Sequence, residues 1–67
     1  MKEHQALLDL VGGTIPDLQF TIRKIKELKS ISEDKHTLSS LANYETAISL
    51  LVKVTNELRA DYPELVE

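Results

Sequence analysis

Sixty-seven residues make at most one small domain, with eleven Asp and Glu against eight Lys and Arg for a net charge of −3. Leu, Ile, Val and Phe supply 21 of the 67 residues, about 31% and above the ~20% below which disorder becomes the default, so the chain is expected to fold. A chain this short hides only about 60% of its surface, and with no Cys it has no disulfide framework, thiolate metal site or Cys nucleophile to supplement a small core.

The N-terminal segment carries Ala6, Leu7, Leu8, Leu10 and Val11, which predict a first short helix over about 2–11. Glu3 and Asp9 interrupt the apolar run, so it does not read as a secretory leader. No stretch approaches the roughly 18–20 apolar residues that span a bilayer, and a cytoplasmic location is the default expectation. Gly12, Gly13 and Pro16 predict a break, because each glycine costs about 1 kcal/mol in a helix and an interior proline removes an amide and clashes with the preceding turn. Thr14 as N-cap, Pro16 in the first turn and Asp17 at the positive end of the dipole fit the start of a new helix.

That second helix is predicted over about 15–31. Ile15, Leu18, Ile22 and Ile25 recur at three and four residues, which puts them on one stripe, and Lys29 falls on the same seam. The stripe keeps its phase back through Val11 and Leu8, as a single kinked arm would. Residues 32–37 are polar, with Ser32 or Thr37 as the candidate cap. A third helix over about 38–61 is the plainest feature. Leu41, Tyr44, Ile48, Leu51, Thr55, Leu58 and Tyr62 follow a 3-4 repeat without a slip, and Pro63 ends it.

The fold class is therefore all-α in a single domain, 1–67. Two arrangements satisfy it: a three-helix bundle, or a helical hairpin that dimerises to a four-helix bundle. The hairpin dimer is the expected one, since Phe20, Leu28, Ala47, Leu50, Val52 and Val54 lie off the seam and would leave apolar surface uncovered.

Chemical constellations are scarce. Glu33 and His36 have the Glu-x-x-His spacing of di-metal helical bundles, but they sit in a polar connection and no inward carboxylates accompany them. His4 has no ligating neighbour at helical spacing. Ser39, Ser40 and Ser49 lack an oriented base other than His36 and an oxyanion loop. No catalytic, cofactor or metal residue is assigned, and the chain is expected not to be an enzyme. Residues 20–31 carry a local charge of +3, so Arg23, Lys24 and Lys26 offer an alternative role in binding phosphates. The four cations of this segment do not share a face, and nucleic acid is not the expected partner. The expected function is a small acidic regulator or inhibitor that binds another protein, itself a homodimer, with Phe20, Tyr44, Leu50, Val54 and Tyr62 as candidate partner contacts. The tail from Asp61 to Glu67 reads as a frayed terminus, or a segment that orders on a partner.

Overall fold

The computed structural model of the chain describes residues 2–66. Helix α1 runs from Lys2 to Lys26 and helix α2 from Lys35 to Asp61, joined by a connection that holds a short 3₁₀ turn, Lys29–Ile31. The two lie side by side and antiparallel, in a hairpin whose Cα extents are 47 × 15 × 13 Å.

The first two expected helices are one. Gly12, Gly13 and Pro16 all lie inside α1, and none of the described residues has a positive φ. Thr14 does not cap a new helix; its hydroxyl donates back to the Leu10 carbonyl at 2.9 Å, inside the continuing one. The physical reason is the phase already noted. Leu8, Val11, Ile15, Leu18, Ile22 and Ile25 keep one stripe against α2 across the would-be break, and Leu8 and Ile22 are the buried apolar residues among those described. Helices in proteins are held mostly by packing of such a stripe, which here offsets the local cost of the breakers.

The other end of this arm was expected at Ile31 and falls five residues earlier. The Glu27 and Leu28 amides bond back to carbonyls of the last turn, Leu28 leaves the helical region at φ −82° and ψ 72°, and the chain turns. Lys29 is thereby removed from the seam to an exposed position at the start of the 3₁₀ turn. Neither Ser32 nor Thr37 caps α2. Asp34 does, its carboxylate accepting from the His36 amide at 2.7 Å, which starts the helix at Lys35 rather than 38. Thr37 instead becomes a buried member of the α2 seam. From there the seam follows the expected register: Leu41, Tyr44, Ile48, Leu51, Leu58 and Tyr62 are half-buried and Thr55 is buried, with its hydroxyl donating to the Val52 carbonyl at 2.8 Å.

The open end is closed by side chains of both arms. The His4 and Tyr62 rings stand 4.1 Å apart between centroids. Beyond Pro63 the tail does not fray: the Leu65 amide bonds to the Tyr62 carbonyl, and the Gln5 carboxamide pairs with the Val66 backbone, donating to its carbonyl and accepting from its amide. Glu67, the last residue of that tail, lies outside the described residues.

Candidate functional site

A hairpin of two helices has two broad faces, and in this one they differ. At about 100° per residue, one face takes from α1 the positions Leu7, Leu10, Thr14, Leu18, Thr21 and Ile25, and from α2 the positions Ser40, Asn43, Ala47, Leu50, Val54 and Leu58. None of these twelve residues is charged, and the charges that share their angles, Glu3 and Asp61, lie at the open end of the hairpin. Leu10 is 73% exposed and Leu50 58%, and Leu7, Leu28 and Val54 are exposed as well. A groove of about 340 Å³ between the helices on this side is lined by Leu18, Ser40, Asn43, Tyr44 and Ala47. A second, of about 300 Å³, continues it toward the connection, past Ile25, Leu28, His36 and Ser40.

Even the hydroxyls on this face are spent within the helices. Thr14 donates to the Leu10 carbonyl, Thr21 to the Asp17 carbonyl at 3.1 Å and Ser40 to the His36 carbonyl at 2.8 Å. With these hydroxyls bonded within their own helices, the face offers fewer free donors than its composition suggests. The opposite face is more polar, although the exposed Leu38 and Val52 also lie on it. It carries Asp9, Gly12, Gln19 and Arg23 from α1 against Glu45, Asn56 and Arg59 from α2, and Arg59 lines a groove there with Leu8, Asp9, Gly12 and Gly13.

The candidate partner contacts do not gather into one patch. Leu50 and Val54 lie one turn apart on the apolar face, and Tyr44 is half-buried at the edge of its groove. Tyr62 is at the open end against His4. Phe20 is half-exposed on the outer side of α1, with the Arg23 guanidinium 5.6 Å and the Lys24 ammonium 5.4 Å from its ring centroid, within cation–π range. The contributions of Leu7, Leu10, Thr14 and Thr21 were not foreseen. The signal for them was the unbroken phase of α1, and a helix assumed to stop at Gly12 hides it.

The basic segment also disperses. Lys24 pairs with Glu27 at 3.6 Å on the surface, while Lys26 is about 160° round the helix from Lys24. Glu33 stands in the connection and His36 in the first turn of α2, both exposed. Among the described residues no group of three or more His, Cys, Asp or Glu side chains is placed to hold a metal ion, and no helix is long and apolar enough to cross a membrane. No family model, characterised protein or solved structure matches the chain.

Proposed function

We propose that this chain is a non-enzymatic interaction module, a small regulator or inhibitor that works by docking protein on its apolar broad face. The observation that carries the reading is a mismatch between apolar content and burial. Among the described residues only Leu8 and Ile22 of the large apolar side chains are buried and ten are exposed, of which Leu7, Leu10, Leu28, Leu50 and Val54 lie on or beside this face. Scattered exposed leucines need no explanation, but a contiguous apolar face with a polar surround is the mark of a protein-binding surface. A chain of this length has little other means of raising its stability than covering that face.

The test is a paired substitution, Leu10→Glu with Leu50→Glu, one on each arm. Neither side chain packs in the seam, so helicity by circular dichroism should be retained. Immobilised wild-type chain should hold a protein, whether another or its own copy, that the double variant releases. Retention by the variant would move the surface elsewhere, and failure of the wild-type chain to hold any protein would overturn the reading.

A further inference from the structure

Resting on the reading of that face as a protein-docking surface, we infer that its occupant is a second copy of this chain, packed antiparallel across a two-fold axis that passes beside Leu18 and Ala47. The arm α1 presents to the face, in order, Leu7, Leu10, Thr14, Leu18, Thr21, Ile25 and, from the start of the connection, Leu28. About a point between residues 17 and 18 the six outer positions mirror one another, while Leu18 itself reflects onto Asp17 of the other copy. Position 7 reflects onto 28, 10 onto 25 and 14 onto 21, large onto large and small onto small. A two-fold axis applies that reflection when a helix meets its own copy antiparallel, since an isologous contact sets each residue i against a residue j and j against i. Two large layers at each end and a Thr14–Thr21 layer either side of Leu18 then recur in both halves of the contact.

The second arm meets the same axis in a compatible way. Leu18 shares its groove with Ala47, Asn43 and Ser40, and His4 stands against Tyr62, so Ala47 is level with the centre of α1. Reflection about Ala47 sets Ser40 against Val54 of the other copy and Ala47 against itself, and brings Asn43 to within one residue of Leu50. A small residue at the crossing lets the two backbones approach. A face about 47 Å long and 15 Å wide offers on the order of 700 Å² per copy, or about 1,400 Å² in total, within the range of stable interfaces.

Because the chain has no Cys, introduced thiols report on the geometry directly. Light scattering after size exclusion, over a hundredfold range of concentration, should give twice the 7.6 kDa chain mass, falling to one chain for the Leu10→Glu, Leu50→Glu pair. Thr14→Cys and Thr21→Cys chains, mixed and oxidised, should give a covalent dimer that neither gives alone. Like positions at 14 are about 10 Å apart along the helix in this packing, beyond disulfide reach of about 7 Å. A Ser49→Cys chain, on the outward side, should not cross-link. A monomer at every concentration overturns the second copy as occupant; capture of a different protein that depends on Leu10 and Leu50 would leave the docking face itself standing. A dimer in which Thr14→Cys links to itself, or in which Ser49→Cys links, overturns the antiparallel arrangement.

Discussion

The two arms are nearly equal, 25 and 27 residues, yet they come by their helicity differently. α2 is helical on every local criterion. It has an aspartate cap at Asp34, no Gly or Pro from Lys35 to Asp61 and Arg59 in its last turn, where a cation meets the negative end of the dipole. α1 has Glu3 in its first turn and Arg23, Lys24 and Lys26 in its last, but Gly12, Gly13 and Pro16 occupy its middle. What holds α1 together is the stripe it lays along α2, and its helicity is therefore conditional on the hairpin. The lesson is one of precedence. A continuous apolar phase over 25 residues outranks three local breakers, whose cost of about 1 kcal/mol for each glycine and 3 for the proline is spread along one face of a packed helix.

The most severe way to break the comparison is to remove what α1 leans on. Ile48 is half-buried in the α2 seam and its neighbour Ser49 is exposed. Ile48→Asp places a charge against the stripe of α1, at a cost of several kcal/mol that a chain of this size cannot absorb. Thermal melts followed by circular dichroism should show no cooperative transition for Ile48→Asp and a near-native one for Ser49→Asp. Equal behaviour of the two would mean that the register of α2 is wrong.

Next in size is the proline. If α1 is one helix, Pro16→Ala restores the amide that can bond to the Gly12 carbonyl and relieves the clash with the preceding turn. The interior penalty of about 3 kcal/mol, less about 1 for the freedom alanine returns to the unfolded chain, predicts a gain of about 2 kcal/mol. A urea melt measures it. Were Pro16 at the first turn of a separate helix, the same substitution would lower stability or leave it unchanged. The counterpart on the other arm is the cap. Asp34→Ala leaves the His36 amide without its carboxylate and should cost about 1 kcal/mol, or about 4–8 °C in melting temperature. Substitution of Ser32, which closes the 3₁₀ turn through its backbone amide and does not cap α2, should not.

How much of this was legible in the sequence follows from the same contrast. The seam of α2 was readable because period, propensity and stop signal agree from Leu41 to Tyr62. The hairpin was readable from the phase shared by Leu8, Val11, Ile15 and Leu18, but the continuity of α1 was not, since propensity and phase disagree at Gly12–Pro16 and only the partner helix decides between them. The cap was misplaced because Ser32, Asp34 and Thr37 are all competent N-caps; the length of the turn after Leu28 selects among them. Of the docking face, Leu50 and Val54 were legible, being on the well-read arm. Its α1 half depends on carrying the helical angle through Pro16, and the closure of the tail by Gln5 rests on residues sixty-one apart, which no periodicity reports.

The mildest substitution sharpens the contrast furthest. A Cβ built at Gly13 meets nothing within 4 Å, and the residue is exposed in a helix with no positive φ. Gly13→Ala therefore adds helix propensity without a new contact, and a gain of somewhat under 1 kcal/mol is expected from the unfolded state and the helix together. The gain requires α1 to be helical at 13, so a null or negative result in a urea melt would return the chain to a bend there. Position 13 lies on the outer side of α1, about 60° round the helix from Leu10 and farther from Thr14 and Leu18, so stability should rise with association unchanged. Should association weaken while stability rises, the partner must sit on the side of α1 where Asp9, Gly12 and Gly13 line their groove with Arg59, and the apolar face would be only the exposed half of an incomplete core.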